Sequence, residues 1–157
     1  MYIHGLDSAP NEQKLAILRK YGHTPYALHL DYRKDQLAYI KLKKLVKEKK
    51  IDFIVGSSLG GYFGYWLGHE LQIDQLLFNP AMPFRSVQVQ TLDIDEKRDI
   101  KTWVVLGIDD EVIPTNLNIS FFRRRDNIRL ITCEWLGHRI DETSFEEMVR
   151  WSALGEG

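Results

Sequence analysis

The chain carries a single cysteine, Cys133, in 157 residues. One thiol excludes an internal disulfide framework and any metal site built from clustered cysteines. No apolar run approaches the roughly 20 residues of a membrane span. Surplus charge is also missing: 21 Lys and Arg stand against 22 Asp and Glu, for a net charge of -1. No global field therefore draws in nucleic acid or an anionic membrane surface. There is no internal repeat, no low-complexity tract and no linker that would split the chain. The opening Met1-Tyr2-Ile3-His4-Gly5 does not read as a signal peptide. These absences leave a cytoplasmic enzyme or binding protein as the expectation, with one domain over residues 1–157.

What is present is ordinary in bulk. The hydrophobic fraction is 44% and the charged fraction 27%, as in soluble globular proteins of one-domain length. Order along the chain is more informative. Short apolar runs read as strands at Met1–His4, Tyr26–Leu30, Ile51–Val55, Ile73–Phe78, Ile100–Leu106 and Ile128–Trp135. Helical patterns lie at Ala9–Tyr21, Lys34–Lys50, Leu59–Leu71, Thr115–Arg124 and Glu142–Trp151. Within Lys34–Lys50, Leu37, Ile40 and Leu45 read as an apolar stripe inside a basic sleeve that includes Lys41 and Lys44. Alternating strands and helices predict an α/β domain with a mostly parallel sheet of about six strands between two helical layers. The strands are continuous apolar runs, as when both sheet faces are covered. Functional groups in such sheets collect beyond the carboxyl ends of the strands.

One strand runs directly into Gly56-Ser57-Ser58-Leu59-Gly60, a G-x-S-x-G pattern centred on Ser58. Between a strand and a helix this is the signature of a nucleophile elbow. The serine sits in a strained conformation, and glycines on either side leave room for the neighbouring strand and helix. The N–H of Leu59 then opens the helix and aims its positive end at a developing oxyanion. The plain alternative is a glycine-rich turn with no chemistry.

A serine nucleophile needs a base and an orienting carboxylate, in the chain order Ser, acid, His for this arrangement. After the run Thr102–Leu106 come Asp109, Asp110 and Glu111, and after the last strand comes His138. His138 is the base favoured by position; His23, His29 and His69 read as surface or packing residues. Asp110 is favoured as the acid, with Asp109 still open and a neighbouring carboxylate read as a cap for the helix after Pro114. His4-Gly5-Leu6 ends the first strand, so Leu6 N–H is the candidate second oxyanion donor, with His4 shaping that loop by hydrogen bonding.

Tyr2-Ile3-His4-Gly5-Leu6-Asp7-Ser8-Ala9-Pro10, Val55-Gly56-Ser57-Ser58-Leu59-Gly60-Gly61-Tyr62-Phe63, Asn79-Pro80-Ala81, Asp110-Glu111-Val112 and Gly137-His138 together resemble the α/β-hydrolase superfamily. Within it, the chain is similar to the small bacterial YqiA-type esterases. The resemblance implies a compact α/β-hydrolase fold, a three-layer α/β/α sandwich. It implies cleavage of small-molecule esters or thioesters, with Ser58, Asp110 and His138 as the triad and no metal or cofactor. It aligns the first strand here with the superfamily's third. The stretch Met82–Asp99 is too short for a helical cap domain. Neither nucleic-acid binding nor membrane insertion is expected. The competing readings are a non-catalytic binding module on the same scaffold and an acyltransferase with the same triad.

The remaining features read as structural. Met82, Pro83 and Phe84 could line an acyl pocket but are assigned to packing over the sheet edge. Tyr62 and Phe63 anchor the elbow helix. The run Lys41–Lys50 is a solvated helix face, Arg123-Arg124-Arg125 a surface helix end, and Cys133 an inert core thiol.

Overall fold

Successive strand residues are shared out between two buried layers. Tyr2, Val55, Leu76, Phe78, Trp103 and Val105 pack into one cluster, and their neighbours Ile3, Ile54, Leu77, Val104 and Leu106 into the other. Side chains alternate across a strand, so apolar residues at every position require cover on both faces. The computed structural model describes residues 1–83, 85–89, 94, 96 and 99–153.

Five strands form the sheet: β1 (Tyr2–Ile3), β2 (Phe53–Ser57), β3 (Asp74–Phe78), β4 (Thr102–Gly107) and β5 (Ile128–Cys133). They lie in the order β1-β2-β3-β4-β5, and every pairing is parallel. The helices are α1 (Glu12–Lys20), α2 (Ala38–Lys49), α3 (Leu59–Leu71), α4 (Thr115–Phe122) and α5 (Glu142–Ala153). Buried residues of α2, α3 and α4 join the cluster on one face, and those of α1 and α5 join the other. This is the expected α/β/α sandwich. The described residues between β3 and β4 carry no helix or strand.

Among the described residues the sheet has five strands, close to the six or so of the sequence reading. Tyr26–Leu30 contributes one parallel bridge, Ala27 to Tyr2, with Tyr2 N–H donating to Tyr26 O at 2.8 Å. It goes no further because Leu30 N–H is taken by the His4 ring, at 3.0 Å from Nε2. A donor committed to a side chain cannot serve a strand ladder.

Helix α2 also departs from expectation. Its buried residues are Ala38, Leu42 and Val46, an i, i+4, i+8 row. Leu37 and Ile40 are exposed by 55% and 60%. Burying Leu42 and Val46 contributes roughly 1.5–3 kcal/mol each. The basic sleeve is partly neutralised by Lys41–Asp35, Lys43–Glu70 and Lys44–Glu48 pairs. Helix α1 starts at Glu12 because Asn11 caps it, accepting from Lys14 N–H at 3.1 Å. Tyr62, Phe63 and Cys133 are buried as expected, and among the described residues no helix is long and apolar enough to cross a membrane.

Candidate active site

The parallel sheet sends the ends of β1, β2, β3, β4 and β5 to one rim. At the end of β2, Ser58 adopts φ 55°, ψ -120°, a conformation that costs a non-glycine residue on the order of 1–3 kcal/mol. Backbone hydrogen bonds hold it there. Ser58 N–H donates to Phe78 O at 2.9 Å, and Ser58 O accepts from Tyr62 N–H at 3.1 Å and Ala81 N–H at 3.0 Å. The two glycines of the turn are needed for close approach. A Cβ on Gly56 would stand 2.5 Å from Gly60 O, and one on Gly60 would stand 2.2 Å from Ile3 O.

The other two residues arrive on loops after β4 and β5. His138 Nε2 lies 3.0 Å from Ser58 Oγ. On its other side, His138 Nδ1 lies 2.9 Å from Asp110 Oδ2 and 3.0 Å from Oδ1. A carboxylate only accepts, so Nδ1 carries the proton and Nε2 offers its lone pair to the serine hydroxyl. The Asp110 side chain is 1% exposed and that of His138 14%, so the chain of contacts is largely shielded from water. Asp109 makes no such contact among the described residues. Glu111 does not cap α4, whose first residue follows Pro114 without a side-chain cap bond. Its Oε2 accepts instead from the backbone N–H of His138 at 3.3 Å.

The loop after β1 closes the other side. Gly5 abuts the serine, since a Cβ on it would be 3.2 Å from Ser58 Cβ. The His4 ring is buried and bonded at both nitrogens: Nε2 accepts from Leu30 N–H, which leaves Nδ1–H to donate to Gly5 O at 2.7 Å. Burial, with His29 adding to it against the Gly5 bond, holds this imidazole below its ordinary value, in keeping with the neutral tautomer. The Gly5 carbonyl is drawn to His4, so across a trans peptide the Leu6 N–H faces away from the ring. Tyr32 O–H donates to His4 O at 2.7 Å and secures the same turn.

Gly5, Leu6, Ser58, Leu59 and His138 share one cleft of about 1210 Å³. Lys14, Arg85 and Arg139 also border it; Lys14 and Arg85 lie in segments far in sequence from the serine, acid and histidine stretches, so no local pattern links them to the site. Met82 is buried in the core cluster rather than in the cleft wall, and Phe84 lies outside the described residues. Arg125 pairs with Glu96 at 2.5 Å and stacks over the Phe121 ring, a packing role. Among the described residues, no group of three or more His, Cys, Asp or Glu is placed to hold a metal ion.

A candidate hydrolase of the alpha/beta superfamily from Xanthomonas campestris pv. campestris is 22% identical, with a TM-score of 0.70 over 96% of each chain. MGS-MChE2, an alpha/beta hydrolase from the metagenome of Mar Chica lagoon sediments, is 14% identical. Its TM-score is 0.77 over 98% of this chain and 88% of that one. Est1E from Butyrivibrio proteoclasticus, solved with ferulic acid bound, is 16% identical, with a TM-score of 0.73 over 99% of this chain and 87% of that one. These likenesses establish the α/β-hydrolase fold. The profile of the uncharacterised protein family UPF0227 matches residues 1–100. The chain, which carries the α/β-hydrolase fold, therefore belongs to UPF0227, the YqiA family.

Proposed function

We propose that this protein is a serine hydrolase that cleaves carboxylic esters or thioesters of small molecules through an acyl-enzyme on Ser58. The observation that carries the reading is the 3.0 Å contact between Ser58 Oγ and His138 Nε2, backed by Asp110 at 2.9 Å on Nδ1. That spacing is within hydrogen-bond reach for general-base catalysis. The strained turn at Ser58 and solved neighbours described as hydrolases support it.

His138 takes the hydroxyl proton as Ser58 Oγ attacks the carbonyl carbon. The carbonyl oxygen becomes an oxyanion, stabilised by the N–H groups of Leu59 and Leu6. His138 then protonates the leaving alkoxide or thiolate as the C–O or C–S bond breaks. A water molecule gives its proton to His138 and attacks the acyl carbon; His138 then returns a proton to Ser58 Oγ as the C–Oγ bond breaks and the acid is released. Asp110 keeps the imidazole in the required tautomer and stabilises its charged form.

The test is hydrolysis of p-nitrophenyl esters from acetyl to long acyl chains, by the wild type and by Ser58→Ala. The substitution lowers turnover by about three or more orders of magnitude. It also abolishes labelling by a fluorophosphonate. A wild type that neither turns over any ester nor labels at Ser58 contradicts the reading.

A further inference from the structure

Asn79 is buried, 1% exposed, at the carboxyl end of β3, and holds a positive φ of 41°. Its side-chain amide is committed in two directions. Oδ1 accepts from Gly107 N–H at 2.8 Å, at the last residue of β4, just before the loop that carries Asp110. Nδ2 donates to Gly137 O at 2.9 Å and to His138 O at 3.1 Å. Its own N–H donates to Val105 O at 2.9 Å. The residues beside it bind the elbow: Phe78 O accepts from Ser58 N–H, and Ala81 N–H donates to Ser58 O.

Position 79 is therefore where the three segments bearing Ser58, Asp110 and His138 are tied together. The left-handed backbone is one that asparagine tolerates better than most residues. Its planar amide offers one acceptor and two donors, and it bridges a strand-end N–H and two loop carbonyls at once. Aspartate lacks the donors. An apolar residue would leave those backbone groups without this partner.

We propose that Asn79 is a positioning residue: its amide cross-braces the Asp110 and His138 loops and sets the His138 imidazole between Asp110 and Ser58. The inference rests on the hydrolase reading above. It adds a residue that never touches substrate yet determines turnover through His138. Misplacement of reacting groups by about 1 Å can cost on the order of 100-fold in rate, so a slack His138 loop costs kcat far more than substrate affinity.

The test uses Asn79→Gly, which accepts φ 41° and removes the amide, and Asn79→Asp, which keeps the shape and the acceptor but loses both donors. Either variant suffices if the other does not fold. The expected result is a fall in kcat of roughly 10- to 100-fold with KM changed by less than about threefold. On an Asp110→Asn background, Asn79→Gly should lower kcat by less than about threefold further, because residues acting as one unit are not additive. The second readout is independent of activity. The proton on His138 Nδ1, held against Asp110, gives a downfield NMR resonance, assigned by its loss in Asp110→Asn, and it should broaden or disappear in both Asn79 variants. The proposal is overturned if the variants keep that resonance and wild-type kcat, even with a lowered melting temperature. It is equally overturned if their effect multiplies in full with that of Asp110→Asn. If the wild type hydrolyses nothing, the hydrolase reading fails, and the resonance alone still decides whether Asn79 places the imidazole.

Discussion

Asp110 turns both carboxylate oxygens toward one nitrogen of His138, at 2.9 Å and 3.0 Å from Nδ1. Oδ1, the oxygen 3.0 Å from Nδ1, is shared: it also accepts the N–H groups of Val112 at 2.8 Å and Ile113 at 2.7 Å. The loop thus clamps the carboxylate before the imidazole meets it. An acceptor held by two backbone donors keeps its orientation.

That clamp separates Asp110 from its neighbour. Asp110→Asn should reduce kcat on an active ester by roughly 10³- to 10⁴-fold, because the amide favours the wrong imidazole tautomer. Asp109→Asn should stay within about a factor of three, as for a surface substitution. Steady-state kinetics of the two variants side by side decide the assignment, and equal losses would undo it.

Gly60 sets how closely α3 approaches β1. A Cβ there would lie 2.2 Å from Ile3 O and 2.4 Å from His4 O, both backbone atoms that have little freedom to yield. Gly60→Ala should destabilise the fold by about 1–3 kcal/mol or more, as overpacking does. Urea unfolding measures this, and an unchanged midpoint would show that β1 gives way freely. Activity should fall as well, since the strand that must move carries the Gly5-Leu6 turn.

His4 makes stability depend on pH. The folded protein holds its imidazole below the ordinary 6.5, chiefly through burial. The unfolded chain then binds the proton more readily, so it holds more protons between the folded value and 6.5, and stability rises with pH there. The contribution is complete above about pH 6.5 and is lost as pH falls through the lower folded value. His4→Gln keeps an acceptor for Leu30 N–H but cannot titrate. Urea midpoints from pH 7.5 to 5 should fall more steeply in the wild type than in the variant. His23, also held low by burial, titrates in both proteins, so the difference isolates His4.

Much of the site is legible before folding. Gly56-Ser57-Ser58-Leu59-Gly60 is contiguous, so the steric demands of the turn are written in five adjacent residues. The strand-helix alternation places Ser58, the Asp109-Asp110 pair and His138 on one rim, because parallel strands all end on the same side. Other features depend on contacts between distant segments. Tyr26–Leu30 has the composition of a strand, yet His4 captures the N–H of Leu30 and the pairing stops at one bridge. At α2 two apolar residues, Leu37 just before its first turn and Ile40 within it, stay exposed while Ala38, Leu42 and Val46 are buried. Hydrophobic spacing alone could not rank those two faces.

By itself the sequence determined the strained serine turn, the order of Ser58, the Asp109-Asp110 pair and His138 on one rim, and the covered parallel sheet. All of these follow from local sterics and from the periodicity of apolar residues. Only the tertiary structure decided that Asp110 and not Asp109 meets His138, that His4 fixes the Gly5-Leu6 peptide, and that Asn79 binds Gly107 and Gly137, 28 and 58 residues further along the chain. The reason is directional: a hydrogen bond requires both partners within about 3 Å and aligned, and residues so far apart acquire that alignment only when the sheet brings its strand ends together.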